Sequence, residues 1–265
     1  MKKGISFYFG FDNDVEERVK MIKDAGFDAV ITNADKKFDH QNGTIKKQCR
    51  LFKKYGLNLS SLHFRYESKN LHYFWESGIQ GEKLKKKLIK DVKIAKKYGF
   101  PCVVVHLQGV YSKIGENRLL EVLDFCERLN IMLAVENINN NLSLFLEIFK
   151  NINHNMLRIC YDSGHNNVYN KNFDYLGHFK DKLIALHLHD NDGNSDQHTL
   201  NRFGSIDWDM VAKRLAKCDN ILDNISLDYE IFYKQDESLD CRSCLFEIKK
   251  QADELEEKIK NYIEN

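Results

Sequence analysis

Between positions 187 and 198 the sequence reads HLHDNDGNSDQH, with three histidines (His187, His189, His198) and three aspartates (Asp190, Asp192, Asp196) in one short segment. Imidazole and carboxylate groups bind divalent cations and move protons near neutral pH. Similar residues recur elsewhere at one kind of position. Short apolar runs end on His63, His106, Glu136, Asp162, His187 and Glu230. Two Glu, one Asp and one His make a mixed oxygen and nitrogen donor set. It suits Mn²⁺, Co²⁺, Zn²⁺ or Mg²⁺ better than a thiolate-based structural site would. Such a site polarises a carbonyl or hydroxyl, or activates water, and one of its carboxylates can serve as a base.

Groups so far apart in sequence need a fold that gathers them. The runs GISFYF, DAVIT, NLSSLHF, CVVVHL, IMLAVEN, LRICYD, LIALHLHD and NISLDYE read as strands. They recur about every thirty residues, the length of a strand-and-helix unit, with amphipathic Lys/Glu-rich segments between them. Gly26, Gly56 and Gly99 each follow a helical pattern, where a left-handed terminating residue belongs. Eight such units predict an α/β fold, a (β/α)8 TIM barrel formed as a single domain over 1–265, with a long C-terminal helix. A doubly wound open sheet would normally carry a glycine-rich phosphate turn after an early strand, and none is present. There is one proline, Pro101, and no linker-like stretch. In a barrel the C-terminal strand ends form one mouth, so the six strand-end residues are expected to converge there.

Composition narrows the class. The chain has 265 residues, 43% hydrophobic, and a formal net charge of +1. A near-neutral balance argues against a protein built mainly to coat nucleic acid. No run approaches the length of a membrane span and the N-terminus lacks a signal-peptide pattern, so a cytoplasmic location is expected. Seven cysteines, an odd number, read as reduced thiols. The CxxC spacing of Cys241 and Cys244 lacks two nearby partners for zinc and reads as ordinary thiols. KLKKKLIKDVKIAKK reads as a solvated helix face.

The motifs AVEN (134–137), CYDSGH (160–165), LHLHDND with DQH and GSIDW behind it, and LDYE (227–230) appear in this order over nearly the whole chain. In that combination the chain resembles the xylose isomerase-like TIM-barrel superfamily. That group includes sugar-phosphate isomerases and epimerases, and apurinic-site nucleases of the endonuclease IV type. The resemblance implies metal ligation by Glu136, Asp162, His187 and Glu230. His187, with Asp190 behind it, fits the family pattern better than His189, which is expected at the rim or beyond. Asp190 is expected to fix the loop or orient a ligand. In the isomerase branch Glu136 and Glu230 would form the acid/base pair and pass a proton through an enediolate of a small carbohydrate substrate.

The nuclease branch uses three zinc ions, and the resemblance gives a counterpart for each ligand here: His63, His106, Glu136, Asp162, His165, His187, Asp196, His198 and Glu230. Three features point the other way. The continuation after Glu136, NINNNLSLFLEIF, lacks glycine. Asn201 and Arg202 stand where many members carry Pro-Gly, which makes Arg202 a candidate substrate contact. Overall charge is close to neutral. A carbohydrate isomerase or epimerase is therefore the leading expectation, with the zinc phosphodiesterase as the alternative. A lyase or hydrolase, or a non-catalytic barrel, stands behind both. Segment 64–78 carries Tyr73, Phe74 and Trp75, which either stack on a ligand or cover the rim. Leu245, Ile248, Ala252, Leu255, Ile259 and Tyr262 form one apolar stripe on the last helix, expected to pack on the barrel wall, with a homodimer contact as the alternative.

Overall fold

In the computed structural model, the structure described covers residues 1–64, 70–219, 221–222, 224–232 and 239–265. Eight strands form one parallel sheet: β1 (Lys2–Ser6), β2 (Ala29–Asn33), β3 (Asn58–His63), β4 (Cys102–Val105), β5 (Met132–Glu136), β6 (Leu157–Asp162), β7 (Leu183–His187) and β8 (Ser226–Tyr229). Neighbours run β7-β6-β5-β4-β3-β2-β1-β8. The ring closes through a parallel bridge between Leu188 and Tyr229. There the Leu188 amide donates to the Asp228 carbonyl at 2.8 Å, and the Glu230 amide to the Leu188 carbonyl at 2.9 Å. The principal helices alternate with the strands: α1 (Val15–Asp24), α2 (Ile45–Tyr55), α3 (Ile79–Tyr98), α4 (Lys113–Leu129), α5 (Leu142–Asn151), α6 (Ser163–Tyr169), α7 (Trp208–Leu215) and α8 (Cys241–Glu264). This is the expected (β/α)8 barrel.

Alternation along each strand sorts side chains to two surfaces. On β5, Leu133 and Val135 join the large core beneath the helices. Ala134 turns into the barrel with Cys102, Val104, Cys160 and Ala185, a separate cluster of small residues. Glu136 keeps that inward parity. The interior is thus narrow and filled low down, which leaves space only at the C-terminal mouth. Gly26, Gly56 and Gly99 all adopt positive φ after helices α1, α2 and α3, as the sequence required.

The barrel also buries polar groups below the mouth. Asp228 is wholly buried and accepts a hydrogen bond from the Ser60 hydroxyl. Burial pushes its carboxyl up to about 6. Gly4 stands opposite, because a β-carbon there would lie 1.8 Å from Asp228 Oδ1.

Leu245, Ile248, Ala252, Leu255 and Ile259 of α8 are buried in the core, so the stripe packs on the barrel wall. Tyr262 departs from it; it is more than a third exposed and its hydroxyl donates to Asp209. Phe74 and Trp75 are buried, with the Trp75 ring against Tyr111 and close to Gly115, so they cover the rim. Residues 65–69 of that segment lie outside the described residues. The cysteines are free, and Cys241 and Cys244 sit at the start of α8. No helix among the described residues is long and apolar enough to cross a membrane.

Gly4→Ala should destabilise the protein by about 1–3 kcal/mol, because the added β-carbon would overlap the carboxyl of Asp228, itself wholly buried. Chemical denaturation of the variant checks this; an unchanged midpoint would mean that the Gly4–Asp228 approach is not a constraint.

Candidate metal centre

Six strands deliver a side chain to the mouth in register. His63, Glu136, Asp162 and His187 are the last residues of β3, β5, β6 and β7; His106 and Glu230 immediately follow β4 and β8. Glu136 is at the middle. Its Oε2 lies 3.0 Å from His106 Nε2 and 3.4 Å from His63 Nε2. Its Oε1 lies 3.2 Å from His187 Nδ1 and 3.3 Å from His165 Nδ1. His187 Nδ1 also faces Glu230 Oε2 at 3.5 Å. Asp162 Oδ2 lies 3.5 Å from His165 Nδ1. Asp196 Oδ2 is 3.2 Å from His165 Nε2 and 3.3 Å from His198 Nε2. All nine strand-end and loop residues expected at the mouth therefore lie in one connected array.

Several donor groups within the array are compact enough to hold an ion. They are His63 with His106 and Glu136; Glu136 with Asp162 and His165; Asp162 with His187 and Glu230; and His189 with Asp196 and His198. A fifth, Glu136 with His187, draws in the thiol of Cys160 from below. The donors fit a divalent cation on a separate count. Glu136, Asp162 and Glu230 bring three carboxylates into a region where all three are buried. Among the described residues neither ring nitrogen of His187 makes a well-directed hydrogen bond, although the residue is wholly buried and Glu136 lies close by. Buried anions and an unsatisfied buried imidazole are costly unless something positive sits between them.

Proton affinities follow the same crowding. Burial opposes ionisation of Glu136, but His187 and His106 hold its carboxyl well below the usual range. Burial works against Asp162 too, and His165 and His189 pull it down. Burial is likewise outweighed at His165 by Asp162 and Asp196, which raise it well above its ordinary value. His187 is raised despite burial by Cys160, Glu136 and Glu230. His198, opposed by burial but bonded to Asp196, is raised to about 9. His106 goes the other way, lowered by burial.

Neighbouring backbone fixes the array. Asn137 donates to the Asp162 carbonyl at 2.9 Å and accepts from the Asp162 amide at 2.7 Å, locking β5 to β6. Asp162 caps α6 through the His165 amide at 2.6 Å. Asp190 organises the loop after β7. Its Oδ1 accepts from the amides of Asn191, Ser205 and Ile206, and its Oδ2 from Trp208 Nε1 at 2.6 Å. Gly204 is needed because a β-carbon there would overlap Asp190. The GSIDW motif is thus the partner of Asp190, and the aspartate fixes the loop.

Two expectations are corrected. His189 was expected at the rim or beyond, yet it is wholly buried. Its Nε2 lies 3.1 Å from Asp162 Oδ1, and its ring stacks on His198 with centroids 3.8 Å apart. The chain does not leave the barrel after His187: Leu188 continues the pairing to Tyr229, so position 189 keeps the inward parity. Arg202 is not at the mouth. It lies in the Asn201–Phe203 turn, in a surface groove beside α8, with its guanidinium over the Phe203 ring. The bonds that Asp190 makes turn this part of the loop outward.

Above the array is a cavity of about 450 Å³. Glu136, His165, His198 and Glu230 form part of its lining, and Phe7, Tyr8, Phe38 and Phe232 supply aromatic walls. Asn33, at the end of β2, and Gln41 and Asn42 beyond it add polar groups. None of the aromatic residues stood out in the sequence, since isolated aromatics near strand ends look the same whether they face a core or a ligand.

Residues 19–261 match the model of the xylose isomerase-like TIM barrel family, and the chain belongs to that family. Among curated relatives, an uncharacterised protein of Sinorhizobium fredii is 28% identical, with 78% of each chain covered. One of Methanocaldococcus jannaschii is 27% identical, covering 86% of this chain and 94% of the relative. Similar solved structures include a D-tagatose 3-epimerase-like protein, with TM-score 0.77, 21% identity, and 99% and 100% of the two chains covered. An L-ribulose 3-epimerase gives TM-score 0.74 at 14% identity, over 99% and 96% of the chains. The 3-keto-D-glucoside 4-epimerase of E. coli gives 0.70 at 17%, over 94% and 99%. At these identities the likeness establishes the fold.

The metal-free protein should lose stability as pH rises from about 6.5 to about 9. His198 has a folded value raised above its ordinary 6.5, so its contribution is complete below 6.5 and disappears as pH passes through the folded value. Thermal unfolding of chelated protein across that range checks this; a melting temperature that rises over the window would contradict the Asp196–His198 pairing. Affinity for added Mn²⁺ or Zn²⁺ should instead increase with pH, since the imidazoles must shed protons to ligate.

Proposed function

We propose that the protein is a divalent-metal-dependent sugar or sugar-phosphate isomerase or epimerase, its residues acting as one catalytic domain. The observation that carries the reading is the placement of Glu136 and Glu230. Both carboxylates face the same nitrogen of His187 from different strands, and both line a small aromatic-walled cavity. A hexose fits a space of that size, and flat aromatic walls suit the C–H faces of a sugar ring. The structural likeness to several epimerases supports the same class.

Glu136, Asp162, His187 and Glu230 would hold the cation. When bound, it would supply positive charge that polarises a substrate carbonyl and stabilises an enediolate. The residues themselves do the proton work. Glu136 is held ionised by His106 and His187, the state a base requires. It takes a proton from the carbon beside the carbonyl and releases it to solvent, while Glu230, having taken a proton from solvent, returns one from its own side. A proton returned to the same carbon on the other face epimerises it; a proton returned to the neighbouring carbon isomerises the sugar. His165 and His198 lie at the cavity wall, placed to bond hydroxyl groups of the sugar.

One observation favours a second reading. His63 with His106, and His189 with Asp196 and His198, flank the central donors as two further candidate groups. Three ions would suit a zinc phosphodiesterase acting on abasic DNA. Metal per chain, measured on protein purified without chelator, separates the two. About one ion of Mn, Co, Mg or Zn supports the isomerase or epimerase; close to three zincs sends the next assay to abasic-site DNA.

Glu136→Gln and Glu230→Gln should each lower ketose turnover by about 10²–10⁴-fold with the fold retained by circular dichroism. If Glu230→Gln keeps both its metal and its turnover, the proposed acid/base pair is wrong.

A further inference from the structure

Arg18 of α1 is wholly buried behind the wall of the cavity. Its guanidinium lies over the Phe7 and Tyr8 rings, both of which line that cavity. Asp12 and Asp14 act on it through space, but the oxygens it bonds carry no charge. Nη2 donates to the carbonyls of Phe11, Asn13 and Gln41, and Nη1 donates to Asn42 Oδ1 at 2.9 Å. Among the described residues it makes no ion pair.

The contact with Asn42 settles which way that amide faces. A guanidinium has only donors, so the Asn42 atom at 2.9 Å must be its oxygen. The NH₂ group therefore occupies the other position. Asn42 is 5% exposed, lines the cavity, and its NH₂ has no partner among the described residues. Asn42 ends the short helical turn Asp39–Asn42, and Gly43, at φ 69°, turns the chain away immediately behind it. Its oxygen is committed to Arg18, so the side chain offers the cavity two donors and little acceptor capacity. The buried positive charge behind it polarises those N–H bonds further.

We propose that Asn42, turned outward by Arg18, holds the end of the substrate remote from the candidate metal ligands, and that this end is an anionic oxygen group, carboxylate or phosphate. An anionic oxygen needs only donors, whereas a hydroxymethyl group must also place its own proton. The inference rests on the sugar-converting reading of the cavity.

Binding to the Mn²⁺-loaded full chain is measured by calorimetry with D-fructose, D-fructose 6-phosphate and D-fructuronate. At least one charged ketose should bind more tightly than D-fructose, and the tighter of the two identifies the anionic group. Asn42→Asp keeps an oxygen facing Arg18 and replaces only the outward NH₂. It should fold with an undiminished melting temperature, keep its Mn²⁺ affinity, and bind the charged ketose at least about tenfold more weakly. Asn42→Ala, which creates no new charge, should weaken it in the same direction and serves if the aspartate variant does not fold. Unchanged affinity in the variants would overturn the role of Asn42 and leave the sugar reading standing. Tighter binding of D-fructose than of both charged ketoses would overturn the anionic end. If none of the three binds the wild-type protein, the sugar reading fails and this inference fails with it.

Discussion

The structure depends on a concentration of negative charge at one end of the barrel. Glu136 is 1% exposed and contacts imidazoles on both of its oxygens. Asp162 and Glu230 are buried within the same array. Carboxylates this close cannot stay ionised in a low-dielectric interior unless positive charge surrounds them. The histidines supply part of it by keeping their protons, which is why His165, His187 and His198 are shifted up and Glu136 and Asp162 down. A divalent cation can replace those protons. Metal binding here is thus an exchange of one set of positive charges for another.

The barrel makes the exchange repeatable by keeping these groups in place. Small residues fill its interior below the array, so the inward positions near the mouth have no room to sink. Asn137 ties two strands beneath Glu136 and Asp162, and Asp190 ties the loop that carries Asp196 and His198. Among the described residues the Asp190 carboxylate bonds the loop amides and Trp208 rather than the nine residues of the array. Its contribution is the course of the chain.

Much of this was legible because the strand period is two. A residue ending an apolar run has a defined inward or outward sense, so His63, Glu136, Asp162 and His187 could be assigned to the mouth from their places in those runs. At His189 the apolar run gives no such guide, because the extra pairing of Leu188 with Tyr229 links positions far apart in sequence and leaves no local signal. Arg202 failed for the opposite reason. Loops have no period, so a charged residue in one can point anywhere, and this one was turned outward by a network centred twelve residues earlier. Arg18 and Asn42 were invisible: one reads as an ordinary helix residue, the other as a turn residue, and only the tertiary contact gives either a meaning.

The closing seam of the barrel has a mechanical consequence. Among the described residues β7 and β8 are joined by one bridge, at Leu188 and Tyr229, while the other neighbouring strands share longer ladders. His187 and Glu230 sit on opposite sides of that seam, facing each other. A cation held by both would act as a staple across the weakest line of the cylinder, and its departure would let the wall breathe there first. Amide hydrogens of Leu188 and Glu230 would then report occupancy by their exchange with solvent, and the opening of the barrel and the emptying of the site would be one event.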